Sequence, residues 1–420
     1  MSKYIVLITH LLLLSCAHTG QGFQRKIASQ NSKCDELLRL ILSADDSSTT
    51  TNPPMKQLRL WEQRSNTKRW KKPITSVELD YVLVDPKDLN IKVIDLPLLL
   101  RKKMFTIRGQ LRWFRHPGNT SMRVPYLDNK ADGTIDAHYS ASRSMFVSTE
   151  DENFFSFKLP TNHPHPVADA QNSKANLKKD NILSIRRAKQ IKQVNNKTKK
   201  PDNLIILTEL ISITSKKSGN GFTVRDLRPL QDGNYYLPAF SIPYIGKEIA
   251  KHNDAHFQKL WGTFYAKALG AAKAKLLIHY GIQMKTPNAQ NWLLQLSPDM
   301  KPTGTIVLRD IADSSYVDFV AKNNGAKNYL EKDLADHYGA HNDLDPNYED
   351  SVWQMDEGGI PHEVLYKWEK LHDQAYIDTI KEMLGIKKSF NHVYGLKIFL
   401  SSDEGIKLIQ DYALRNNLIY

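Results

Sequence analysis

Cysteine is nearly missing from this chain: Cys16 and Cys34 are the two present in 420 residues. A disulfide framework and a thiolate-built metal centre are therefore excluded for the body of the protein. Apolar runs of membrane-span length are missing after the extreme N-terminus, which excludes a polytopic membrane protein. No internal repeat of useful length is visible. The phosphate loop G-x-x-x-x-G-K-[ST], the nucleophile elbow G-x-S-x-G and the zinc helix H-E-x-x-H do not occur. Acidic residues are in deficit, with 58 Lys and Arg against 45 Asp and Glu for a net charge of +13. Such a surplus suits anionic partners, whether nucleotide, nucleic acid, phospholipid headgroup or polycarboxylate, and singles out none of them.

What is present is an ordinary soluble composition, 41% apolar and 25% charged, in a chain long enough to bury a sizeable core. The N-terminus reads as an address label. Lys3 is followed by an apolar stretch over residues 4–14, too short for a bilayer span of about 20 residues but suited to a secretory signal. It runs into Leu13-Leu14-Ser15-Cys16, which resembles a bacterial lipobox, so export and a lipid anchor at Cys16 are expected. Residues 1–15 are then the signal peptide and residues 16–56 a polar tether. Processing at Cys16 would leave Cys34 without an intramolecular partner.

Beyond the tether the pattern is strands followed by helices, hence α+β. Residues 57–145 form a mixed N-terminal region with strands expected at 77–84, 91–94 and 104–113. Residues 146–320 form the central α/β region, with strands at 154–159, 182–185 and 204–213 and a long helix over 247–280. A basic stretch at 174–200 carries ten Lys or Arg against one acid and no aromatics; it reads as an exposed loop rather than a base-stacking platform. No specific nucleic-acid partner is expected. Residues 321–420 read as mostly helical, the clearest helices being 361–384 and 403–416, interrupted by an acidic block at 331–362.

The chemically informative segment is YGIQMKTPNAQNWLLQLSPDMKPTGTIVLRD, residues 280–310. An apolar helix ends at Gly281, a polar loop carries Asn288, Gln290 and Asn291, and a hairpin then delivers Arg309-Asp310. A side-chain amide and a carboxylate brought together in this way can ligate a hard cation through oxygen, and that cation can orient nucleotide phosphates. Kinase-like folds use the same layout. By itself the spacing also describes a surface hairpin whose Asp310 caps the next segment.

Tyr280-Gly281-Ile282, Gln290-Asn291 and the strand 306–310 ending in Arg309-Asp310 resemble the signature of the IucA/IucC family. These are ATP-dependent siderophore synthetases that work without a peptide synthetase. The resemblance covers about residues 145–320 and is specific between 260 and 310. It implies a kinase-like, siderophore-synthetase-like palm, ATP and Mg²⁺ as cofactors, and small carboxylate and amine substrates. The reaction it implies is adenylation of a carboxylate followed by attack of an amine or hydroxylamine. Carried over residue by residue, Asn291 and Asp310 would hold Mg²⁺. Lys158, Arg186 and Arg309 would neutralise phosphate or carboxylate charge, with Ser184 and Glu209 also near the nucleotide. Gln290 and Asn288 would orient substrate.

Two departures bear on activity. The family's loop histidine is Asn288 here, and the acid before it is replaced by Thr286 or Lys285. Asparagine hydrogen-bonds a phosphate or a tetrahedral intermediate, but it is no general base near neutral pH. A non-catalytic envelope lipoprotein using the fold as a binding scaffold, or a small-molecule phosphotransferase, are the alternatives. For the latter, His341-Asn342-Asp343-Leu344-Asp345-Pro346-Asn347 resembles a phosphotransferase catalytic loop but lacks a following strand with a second aspartate. His163 and His165, interleaved with prolines, read as a structural loop.

Overall fold

A computed structural model describes residues 53–66, 77–117, 126, 128–140, 144–150, 152–160, 178–284, 288–325, 340–341, 343–352, 355 and 358–418. Cys16 with its signal and most of the tether, His163 and His165, and Lys285 with Thr286 lie outside these residues. The first described element is a helix, α1 (Pro53–Asn66), which spans the expected boundary between tether and N-terminal region.

The strands β1 (Val77–Val84), β2 (Leu89–Val93), β3 (Leu111–Phe114), β4 (Gly133–Tyr139), β5 (Ser144–Ser148) and β6 (Phe154–Lys158) come next, with a short helix α2 (Leu98–Met104) before β3. After α3 (Lys178–Lys197) and β7 (Leu204–Ile206), strands β8 (Glu209–Ser215) and β9 (Gly221–Asp226) complete the first half. Eight of these strands form one sheet in the order β2-β8-β9-β6-β5-β4-β1-β3, with antiparallel pairing at every step. Alternation fixes the two faces. Phe155, Phe157, Ile211, Ile213, Phe222 and Val224 point into an aromatic core with Trp113 and Phe114. Within it the Phe114 and Phe157 rings meet edge to face, centroids 5.2 Å apart. The opposite face is polar: Ser156 pairs with Arg225, Lys158 with Thr223, and Thr223 with Ser212.

The basic stretch at 174–200 is not an exposed loop, and no strand forms at 182–185: helix α3 occupies 178–197 and packs on β8 and β9. Leu183, Ser184, Arg187, Ala188, Ile191 and Val194 recur at helical spacing and are buried, while Lys189, Lys192 and Lys197 stay in water. Reading the lysines alone hides that stripe.

The second half is the helical palm. Its elements are β10 (Tyr235–Pro238), α4 (Ile245–His252), α5 (Phe257–Trp261), α6 (Ala268–Tyr280), β11 (Ile282–Met284), β12 (Trp292–Leu296), β13 (Pro302–Leu308), β14 (Ser314–Val317), α7 (Asp318–Asn323), β15 (Ala340–His341), α8 (Tyr348–Val352), α9 (His362–Leu384), α10 (Val393–Leu400) and α11 (Asp403–Arg415). The expected helix over 247–280 is real but broken between α4 and α5. A π-helical turn at Gly262–Lys267 then joins α5 to α6. Its buried stripe is the core of the palm, as helical periodicity requires. The expected hairpin is β12–β13, at the centre of a sheet ordered β10-β12-β13-β7. Helix α6 ends at Gly281, whose φ of 70° supplies the left-handed C-cap. Helices α6 and α9 approach closely at Gly270, where a methyl group would sit 2.1 Å from the carbonyl oxygen of His372.

His279 ties α6 to the C-terminal helices: one ring nitrogen lies 3.0 Å from the Tyr412 hydroxyl and the other 3.1 Å from the Thr198 hydroxyl. Burial pushes its pKa down from 6.5 to about 4. The folded protein thus binds fewer protons there than the unfolded chain between those two values. The contribution to stability is complete above pH 6.5 and is lost as pH falls toward 4, on the order of 3 kcal/mol in all. Buried His372, also pushed well down by burial, adds in the same direction. Urea midpoints should fall between pH 7 and pH 4.5, and His279→Gln should flatten that slope; an unchanged slope in the variant removes the assignment.

Candidate active site

The polar face of the large sheet meets the end of the β12–β13 hairpin. Lys158, the last residue of β6, places its Nζ 2.5 Å from Oδ2 of Asp310. Arg225 on β9 lies 3.5 Å from the other oxygen of the same carboxylate. Arg225 is held in turn by Glu209, with Nε and Nη2 donating to Oε1 at 3.1 and 2.6 Å. Burial works against the charge of Arg225, but Glu209 and Asp310 outweigh it and hold its pKa above the ordinary arginine value. Glu209 would face the apolar core in a regular strand, because Ile211 and Ile213 do. A register shift between Glu209 and Ile211 turns it to the polar side, opposite Arg225.

Asp310 follows β13 in a left-handed conformation, φ 69° and ψ 53°. Non-glycine residues adopt this region rarely, and aspartate more readily than most. The side chains of Arg309 and Asp310 point to different partners. Asp310 turns toward Lys158 and Arg225, whereas Arg309 turns toward α1. There the Arg309 guanidinium contacts the carboxylate of Glu62, and its Nε donates to the Gln290 carbonyl at 2.8 Å. Glu62 is fully buried; burial raises its pKa, and the Arg309 guanidinium opposes the rise.

The loop before β12 is a short 3₁₀ turn, Ala289–Asn291, capped by Asn288, whose Oδ1 accepts from the Gln290 N–H at 3.1 Å. The amide at position 288 therefore closes its own turn, a role for which asparagine is well suited. Asn291 is buried, and its carbonyl accepts from the Arg309 N–H at 3.0 Å, which fixes the loop against the hairpin end. On α3, Ser184 is buried and Arg186 half-buried. The deeply buried cation of that helix is the next residue, Arg187, whose guanidinium lies 3.8 Å over the Tyr316 ring and whose Nε donates to the Ser314 hydroxyl at 3.2 Å. Ser314 follows Asp310 by one short turn, so α3 closes the site from the side.

The structure thus gathers Lys158, Glu209, Arg309 and Asp310 into one network, with Gln290 and Asn291 bound to it through backbone. Sequence reasoning missed Arg225 and Glu62. Arg225 had a signal, since Phe222, Val224 and the polar Thr223, Arg225 alternate along β9. Glu62 had none, because nothing in its own segment distinguishes a buried acid from a solvated one. The loop resembling a phosphotransferase motif serves the frame of the palm. Lys273, buried on α6, donates to the carbonyls of Pro346 and Asn347 at 2.5 and 3.0 Å and to the Ser351 hydroxyl at 2.7 Å. Burial lowers the pKa of Lys273 to about 7.

The residues suit nucleotide phosphates. Two cationic side chains, Lys158 and Arg225, converge on a partly buried polar floor, and Oε2 of Glu209 is buried with no hydrogen-bond partner, an acceptor left open for a ligand donor. Among the described residues no cluster of three or more His, Cys, Asp or Glu could hold a metal alone. Magnesium bound with phosphates takes only one or two protein carboxylates, and Asp310 is the carboxylate at this hairpin end.

A large antiparallel sheet closed by a helical palm, with a strand lysine facing an aspartate at a hairpin end, defines a siderophore-synthetase-like fold. Solved structures show the same architecture. Aerobactin synthetase IucC from a hypervirulent pathotype of Klebsiella pneumoniae superposes with a TM-score of 0.55 at 12% identity, covering 90% of this chain and 78% of that one. Petrobactin biosynthesis protein AsbB from Bacillus anthracis gives 0.52 at 11% identity over 93% and 77% of the two chains. ATP-bound aerobactin synthetase IucA from the same Klebsiella pathotype gives 0.50 at 11% identity over 86% and 80%. No protein-family model and no curated protein matches the sequence. The likeness is therefore one of fold.

Replacing Glu209 by Ala leaves Arg225 buried with half its pairing. Truncating one partner of a buried ion pair destabilises by roughly 3–5 kcal/mol. Equilibrium urea unfolding should show a loss of about that size for Glu209→Ala, and a loss below about 1 kcal/mol would show the pair to be dispensable.

Proposed function

We propose that this protein binds ATP with Mg²⁺ and uses it to activate a small carboxylate for condensation with an amine or hydroxylamine. The observation that carries the reading is the Asp310 carboxylate set between Lys158 and Arg225 on the polar face of the sheet. Lys158 and Arg225 would bind and orient phosphate oxygens, while Asp310 and Asn291 would hold the cation. Bound there, Mg²⁺ would withdraw charge from the phosphates and hold them in line for attack. In the first step a carboxylate oxygen bonds to the α-phosphorus as the bond to the β-phosphate bridging oxygen breaks, releasing pyrophosphate. In the second the amine nitrogen bonds to the acyl carbon, AMP leaves, and the amine gives up a proton. Asn288 cannot take that proton, so a nucleophile that is neutral at the working pH suits this site best.

Ligand binding to the folded state alone must raise stability, by about 2.7 kcal/mol at a hundredfold excess over Kd. ATP with Mg²⁺ should raise the Tm of the wild-type protein, and Asp310→Asn should weaken ATP binding by about tenfold or more in calorimetry. Pyrophosphate release with polycarboxylic acids and polyamines is the expected activity. A wild-type protein whose Tm ignores ATP, or whose Asp310→Asn variant binds it equally well, removes the reading.

For the N-terminus we propose export and acylation at Cys16. Cells fed labelled palmitate should label the full chain, and Cys16→Ser should lose the label; equal labelling of the variant overturns the anchor.

A further inference from the structure

Helix α1 departs from what a tethered segment requires. Met55, Leu58, Leu60 and Trp61 are buried, and so are the polar Gln57, Arg59, Glu62 and Ser65. Trp61 enters the core of the palm, while Met55 and Leu58 join a second cluster with Tyr236, Leu293 and Val307. The helix is also sewn in by polar contacts, since the Ser65 hydroxyl donates to the Ser241 hydroxyl at 2.7 Å. Burial of this kind fixes the side chains of α1 against the β10–β12–β13 sheet. Glu62 is the single acid of the helix, and it is 0% exposed.

A buried carboxylate is expensive, and its salt bridge gives little net stability over an apolar pair of the same volume. Its presence here calls for another reason, and the geometry supplies one. Arg309 and Asp310 are sequence neighbours of opposite charge, so a guanidinium without other partners would be attracted to the adjacent carboxylate. Glu62 on one side and the Gln290 carbonyl on the other draw Arg309 away. Asp310 is thereby left to Lys158 and Arg225.

We propose that Glu62 is a positioning residue of the site, clamping Arg309 so that it stays clear of Asp310. The consequence for nucleotide rests on the function proposed above; the clamp itself does not. Glutamine at 62 keeps the shape and loses the charge, so it tests the clamp with little change in packing.

The decisive measurement uses the full chain and phenylglyoxal, with modified arginines mapped by peptide mass spectrometry and Arg225 as internal control. Arg309 should react about tenfold faster in Glu62→Gln than in the wild type, with Arg225 unchanged, because a freed guanidinium leaves its ionic partner. In parallel, ATP affinity is compared across Glu62→Gln, Arg309→Met and the double variant. A residue acting through Arg309 gives a double variant no weaker than Arg309→Met alone. Wild-type Arg309 reactivity in folded Glu62→Gln, or additive losses of affinity, overturns the proposal. Should Glu62→Gln not fold, Glu62→Asp, with the charge on a shorter stem, carries the same test, and unchanged Arg309 reactivity there overturns it equally. A wild-type protein that binds no ATP counts against the proposed function and leaves the reactivity arm to judge the clamp.

Discussion

The Asp310 carboxylate, held between the Lys158 ammonium and the Arg225 guanidinium, is the interaction on which the rest of the site depends. Of its two partners Arg225 is anchored in turn by Glu209, and the sequence neighbour Arg309 is held apart by Glu62. The network therefore alternates in sign: three cations, Lys158, Arg225 and Arg309, against three acids, Asp310, Glu209 and Glu62. A balanced set can be buried where any single member could not, because at an effective dielectric of 20 two charges 4 Å apart still attract by about 4 kcal/mol. Balance is also what gives the site its use. Under the proposed function, a polyanion that draws Lys158 and Arg225 toward itself would uncover Asp310, and a cation carried by that polyanion would restore neutrality.

The network is built from widely separated pieces of chain. Lys158 and Asp310 stand 152 residues apart, and Glu62 comes from a helix that precedes the whole sheet. Glu209 and Arg225 meet within the β8–β9 hairpin, but the other pairs cannot form within one local element, so the site exists only once sheet, β12–β13 hairpin and N-terminal helix have all docked. Pairings of this sequence separation must first overcome loop-closure entropy. The apolar clusters supply the driving force. The aromatic core under β6 and β9 sets the sheet, the palm core sets the hairpin, and the charged groups then meet across the gap.

Lys273 and His279 show polar groups serving the frame instead. Each is buried on α6 and fastened to hydroxyls or carbonyls of later segments, and each has its pKa lowered by burial. Together they hold the turn at 343–347 and the C-terminal helices against α6. A sequence motif resembling a catalytic loop can thus be a clasp, and the surrounding burial distinguishes the two.

Much of this was legible in the residues themselves. Strand-like composition marked β1 and β6 nearly to the residue, helical periodicity marked α6, α9 and α11, and the turn signals around 297–301 marked the β12–β13 hairpin with Arg309-Asp310 at its end. The α+β class and the siderophore-synthetase likeness followed from these local patterns, since they depend on nearest neighbours along the chain. What tertiary structure alone decided was which charges meet. The register shift beside Glu209 reversed the face its strand period assigned to it, the apolar stripe of α3 lay hidden among its lysines, and Glu62 became a buried partner of Arg309 only because α1 is packed between two cores. Which distant charges pair is a property of the assembled chain, and no local pattern encodes it.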